Sequence, residues 1–205
     1  SSSNVWELRT DVQGSDNSIY FKLAGGVSAM VYRTCRYDAA IGATIEFRAR
    51  IREVQDIPGL VLIGLEEGTT QRGATLRFTR TGAVVRGDQE VASTEAFDTA
   101  AWHIYRFVLR PNGAGAALYR DHQSQPIATV SQLCSNAVGG LATEGSGFIA
   151  FGGMDGALNK RVFWDLDWLC VSISGPYPVT QEGWWYPGEP QPVVPSFPGH
   201  AIFAY

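Results

Sequence analysis

Charge is what this chain has least of. Only 18% of its 205 residues are Asp, Glu, Lys or Arg, below the roughly 25% usual in soluble domains, and the formal net charge is -4. That balance offers no field to attract phosphate backbones, so nucleic acid is excluded as the expected partner. Long apolar runs are also missing. Nothing approaches the ~18–20 uninterrupted residues of a membrane-spanning helix, and no basic amphipathic stripe points to surface binding. Membrane insertion is therefore not expected. No i, i+3, i+4 apolar spacing persists, which leaves little room for helix. Asn-x-Ser/Thr acceptors are absent, as are a Gly-x-Ser-x-Gly elbow and any CxxC or metal-ligand cysteine spacing.

Histidine and cysteine are scarce, at three each. His103 alternates with Tyr105 and Phe107, the setting of a hydrogen-bonded strand histidine and not of a catalytic base, while His122 and His200 read as loop residues. In an oxidising compartment three cysteines give one disulfide and one free thiol. Cys35 and Cys134 lie in turn-like surroundings and are the expected pair; Cys170, inside a strand, is the packed thiol. Three reduced cysteines are the alternative.

What the sequence does have is alternation. Residues 161–173, RVFWDLDWLCVSI, place Trp164, Leu166, Trp168 and Cys170 on one face and Phe163, Asp165, Asp167, Leu169, Val171 and Ile173 on the other. Period-two patterning rich in aromatic and β-branched residues is a strand signature, and two largely apolar faces predict a strand at the centre of a sheet. Residues 43–51 alternate as well, with Ile45, Phe47, Ala49 and Ile51 facing a core and Thr44, Glu46, Arg48 and Arg50 facing water. Residues 102–110 repeat the pattern. Residues 60–65 form an unbroken apolar run, as in a buried strand. Gly25-Gly26 predicts a hairpin between 19–23 and 29–32. Arg80-Thr81-Gly82 predicts another, with glycine supplying a positive φ, and 115–119 pairs with 126–130 around a third turn. Ten or more short strands separated by turns predict an all-β antiparallel sandwich or jelly roll.

The order of these strands carries a resemblance. Ala-Thr-Ile-Glu-Phe-Arg-Ala-Arg-Ile at 43–51 is followed by Trp-His-Ile-Tyr-Arg-Phe at 102–107 and Leu-Tyr-Arg-Asp-His at 118–122. Phe-Ile-Ala-Phe-Gly at 148–152 and Trp-Asp-Leu-Asp-Trp-Leu-Cys-Val at 164–171 complete the series. Over residues 19–173 this resembles the concanavalin A-like lectin/glucanase superfamily, in particular its laminin-G-like members. The resemblance implies two packed antiparallel sheets, one concave and one convex, with a concave face that often binds glycans. Related glucanases use a Glu-x-Asp-x-x-Glu carboxylate run, and none occurs here.

Two constellations remain. Asp165 and Asp167, at i and i+2 on a strand, face the same way and form the best carboxylate pair for glycoside cleavage. Their apolar neighbours favour a structural role, so no catalytic residue is assigned. Asp121, Asp155, Asp165 and Asp167 could together offer oxygens to calcium, as laminin-G-like domains do at a sandwich rim. No EF-hand loop accompanies them, and no other cofactor is expected.

After Gly175 the composition changes. Seven of the ten prolines fall within 176–198, interleaved with Tyr177, Trp184, Trp185, Tyr186 and Phe197, and the chain ends in Phe203 and Tyr205. Proline withdraws backbone donors, so residues 176–205 are expected as an extended arm beside a sandwich spanning 1–175. An arm this aromatic must pack on something, either its own sandwich or a neighbouring subunit. With the low charge, the start at Ser1 and the family resemblance, the expectation is a secreted or cell- or virion-surface structural subunit, not an enzyme. It would self-assemble through the arm into a homo-oligomer or polymer. A glycan-binding module is the alternative, and a polysaccharide-degrading enzyme the second.

Overall fold

The computed structural model describes residues 5–10, 17–24, 29–34, 38–54, 59–67, 70–134, 148–153, 161–173, 175–176 and 200–203. Fourteen strands run in chain order: β1 (Val5–Thr10), β2 (Asn17–Ala24), β3 (Ala29–Thr34), β4 (Ala43–Val54), β5 (Gly59–Glu67), β6 (Thr70–Thr79), β7 (Gly82–Arg86) and β8 (Val91–Ser93), then β9 (His103–Leu109), β10 (Ala116–Arg120), β11 (Ala128–Val130), β12 (Phe148–Gly153), β13 (Arg161–Ser172) and β14 (His200–Phe203). A single 3-10 turn at Pro111–Gly113 is the only helical element among the described residues.

The strands form two antiparallel sheets. One has the order β1-β2-β13-β4-β9-β10-β11, with β14 also paired to β13; the other has the order β3-β12-β5-β6-β7-β8. The core lies between them, where the odd-numbered residues of β4 and β9 meet β6 and β7. Phe47, Tyr105 and Phe78 are fully buried there. Phe78, from the six-stranded sheet, sits 4.7 Å from the Tyr105 ring and edge-on to Phe47 at 6.2 Å, so aromatic contact stitches the sheets together. This is the antiparallel sandwich that the alternation predicts.

Three local expectations change. β2 and β3 do not form a hairpin: β2 pairs with β1 and β13, β3 with β12, so they belong to opposite sheets. Gly82 closes the β6–β7 hairpin without a positive φ; what it needs is room, because a Cβ there would stand 2.7 Å from Thr94 Oγ1. β13 also breaks its own alternation. Leu166 pairs with Ala49 and Trp168 with Arg48, leaving Asp167 as the extra residue of a β-bulge. Past the bulge the faces exchange, so Leu169 and Val171 join Leu166 on the core side and Cys170 turns to the outer face.

The arm returns to its own chain. His200–Phe203 pair with Ser172–Leu169 along the flank of β13 that β2 leaves open. Tyr177, Trp184, Trp185, Tyr186, Phe197 and Tyr205 lie outside the described residues.

Candidate functional site

The outer face of the eight-stranded sheet is built in cross-strand rows. Ser172, Thr44, Val108 and Ala117 make the first, and Cys170, Glu46, Arg106 and Tyr119 the second. All eight are buried. The face that alternation reads as wet is therefore covered at this end. Part of the reason is the chain leaving β13, since Thr44 Oγ1 donates to Gly175 O at 3.1 Å. In the second row Arg106 Nε donates to Glu46 Oε2, with the two side chains 2% and 1% exposed. Burial, reinforced by the Glu46 charge, pushes the Cys170 thiol up to about 12.

The next rows are partly exposed. Trp168, Arg48 and Ile104 form the third, Asp165 and Arg50 the fourth. Arg48 Nη1 donates to Asp167 Oδ2 at 2.5 Å. Arg50 Nε and Arg52 Nε both donate to Asp165 Oδ2, at 2.7 and 2.6 Å. Asp165 is fully buried and its Oδ1 meets no donor, a cost that the two guanidinium contacts offset. The Arg48 and Arg50 guanidinium carbons lie 4.7 and 4.6 Å from the centre of the Trp102 ring, within cation–π range. Arg48 is 29% and Arg52 40% exposed. This half is thus a part-exposed strip of three guanidinium groups, one part-buried and one fully buried carboxylate, and two part-buried indoles.

Strand geometry explains the strip. Residues 48 and 50 alternate outward on β4 because Phe47, Ala49 and Ile51 are held in the core, and Arg52, skipped where the β4–β13 register shifts between Ile51 and Glu53, reaches the same carboxylate as Arg50. The bulge at Asp167 keeps both β13 carboxylates over those arginines. Asp165 and Asp167 do share a face, as the sequence implies. Oδ2 of each accepts from guanidinium groups, which only donate, so both carboxylates are engaged in ion pairs.

Asp121 is elsewhere, in the turn after β10. It accepts from Ile104 N at 3.0 Å and contacts His103 Nδ1 at 2.7 Å, while His103 Nε2 contacts Asp98 O at 2.8 Å. Both ring nitrogens are occupied, so His103 pins the loop before β9 to the β10 turn. Burial, with the Asp121 charge adding to it, raises the adjacent Tyr105 phenol. Asp155 lies outside the described residues. Among those described, no three His, Cys, Asp or Glu side chains gather as a metal site would need, so Asp121 is not brought to Asp165 and Asp167. The expected Cys35–Cys134 disulfide is not formed: Cys134 is a free thiol. Its Sγ donates to Gly87 O at 2.9 Å and its backbone is bonded to Gly73. Cys35 itself falls outside the described residues.

The arginine row escaped the sequence reading. Its signal was there, since Glu46, Arg48, Arg50 and Arg52 put three cations on one face of one strand in a chain poor in charge.

No protein-family model and no curated protein matches the chain. Solved structures share its fold. An alginate lyase, AlgAT5 from polysaccharide lyase family 7, superposes with a TM-score of 0.54 at 12% identity, covering 80% of this chain and 81% of its own. A family 7 alginate lyase in complex with substrate gives 0.52 at 11% identity, with 80% of each chain covered. A sialidase gives 0.51 at 11% identity, covering 83% of this chain and 18% of its own. The fold is the concanavalin A-like jelly roll. The expected non-catalytic, self-assembling structural subunit is overturned, because the solved structures sharing the fold include alginate lyases and a sialidase. The pairing of β14 with β13 of the same chain also removes a reason to expect a homo-oligomer or polymer.

Proposed function

We propose that the chain is a polysaccharide-degrading enzyme that grips an acidic polysaccharide along the part-exposed half of the eight-stranded sheet. The observation that carries this reading is the row Arg48, Arg50 and Arg52. It concentrates three guanidinium groups in a part-exposed strip of a protein whose net charge is negative. Guanidinium forks match carboxylate geometry, and Trp102 and Trp168 give the strip flat apolar surface suited to sugar rings. Two of the solved structures with this fold are alginate lyases.

The strip favours elimination over hydrolysis. Hydrolysis by a carboxylate pair needs one member to donate a proton, and both aspartates here accept from arginine. A guanidinium paired to a uronate acid group neutralises it and so acidifies the adjoining C–H; a base then takes that proton as the glycosidic C–O bond breaks and the leaving oxygen is protonated, roles that fall to groups outside the arginine row. The test is incubation with alginate, polygalacturonate and neutral laminarin, following ultraviolet absorbance of unsaturated ends beside reducing ends. Unsaturated ends from an acidic polymer are expected. Cleavage of laminarin alone, or of none, would overturn the reading.

A further inference from the structure

Resting on that reading of the strip, we infer that Asp167 is an internal stand-in for the substrate's acid group, occupying Arg48 until a polysaccharide displaces it. The two strip carboxylates are held very differently. Asp165 is fully buried, aligns with Tyr20 on β2 and Arg50 on β4, and accepts from two guanidinium groups. Asp167 is the extra residue of the bulge. The β2 pairing of β13 ends at Leu166, the β14 pairing begins at Leu169, and the β4 register passes from Leu166 to Trp168. Among the described pairings Asp167 therefore has no ladder partner on either side.

A backbone residue outside the ladder can shift without breaking the sheet, and a part-exposed ion pair is weak and screened by salt. The Arg48 guanidinium carbon also lies 4.7 Å from the centre of the Trp102 ring, a contact that does not involve the carboxylate. An incoming carboxylate or sulfate thus meets a guanidinium already oriented to receive it. Asp167 acts as a competitor whose removal strengthens binding, the opposite sign from a residue that contacts substrate productively.

The test is affinity electrophoresis of the full chain in gels containing alginate, dextran sulfate or laminarin. Asp167→Asn is expected to bind the acidic polymer about two- to fivefold more tightly, the loss of a competing pair of ordinary surface strength. Arg48→Gln is expected to weaken it and Arg48→Lys to recover part, with thermal melting confirming that each variant folds. Tightening in alginate identifies a carboxylate ligand, and tightening in dextran sulfate a sulfate. Unchanged or weaker binding by Asp167→Asn, where the wild type binds an acidic polymer, overturns the inference and leaves the strip reading standing. A wild type that binds only laminarin, or nothing, overturns both.

Discussion

Glu46 and Arg48 stand two residues apart on one strand, point to the same face and each meet an opposite charge, yet their environments are opposite. The Glu46–Arg106 pair is sealed beneath the covered half of the sheet, while the Arg48–Asp167 pair lies in the part-exposed strip. In the interior, breaking a pair leaves an uncompensated charge that water cannot reach. At the surface, solvent replaces the lost partner at little cost. The same chemistry therefore serves as a structural clamp in one row and as an exchangeable contact in the next.

The comparison breaks most visibly at Glu46. Glu46→Ala removes the buried carboxylate that accepts from Arg106 and is expected to cost about 3–5 kcal/mol, read as a large fall in the denaturant midpoint with little change in slope. Alkali sharpens it next. The Cys170 thiol, raised to about 12 by burial and then by Glu46, stays protonated when folded, whereas the unfolded thiol ionises from about pH 9. The unfolded state then binds fewer protons, so stability present below pH 9 declines as pH rises toward 12. The slope is at most about 1.4 kcal/mol per pH unit, and pH-resolved melting of wild type against Cys170→Ser isolates it. Thr44→Val removes the buried bond to Gly175 O and is expected to cost about 1 kcal/mol, measured by the same unfolding curves. The smallest effect belongs to the part-exposed row. A double-mutant cycle on Arg48 and Asp167 is expected to give about 0.2–1 kcal/mol, shrinking with added salt. A larger, salt-insensitive coupling would erase the contrast.

Local chemistry made much of the fold legible. Alternation in β4 and β9 placed Phe47, Tyr105 and Phe107 in the core, and the turns after Thr79 and Arg120 announced their hairpins. What failed was long-range. Gly25-Gly26 satisfies hairpin chemistry, but β2 and β3 belong to opposite sheets, where β2 pairs with its neighbour β1 and with β13 and β3 pairs with β12, the last two lying more than a hundred residues later in the chain. Strict alternation in residues 161–173 put Asp165 on one face with Leu169 and Val171, and a bulge removes that conflict. The strip was half visible. Its carboxylates were singled out, but its arginines passed for an ordinary solvated face, because alternation separates polar from apolar and cannot tell which polar residues the returning chain will cover.

The pairing of β4 with β13 has a consequence in time. Arg50 and its carboxylate partner Asp165 are separated by 115 positions in the sequence, so at ~5–20 residues per second the ribosome delivers Asp165 about 6–23 s after Arg50. Through that interval β4 lacks the neighbour that completes the middle of its sheet. Contacts this distant in sequence also slow folding once the chain is free. The guanidinium row meanwhile carries uncompensated positive charge on a strand whose other side is apolar. Like charges along an unpaired edge discourage the edge-to-edge association that such a strand otherwise invites. Before it can hold any ligand, the arginine row is therefore expected to disfavour pairing of the half-made sheet with another copy.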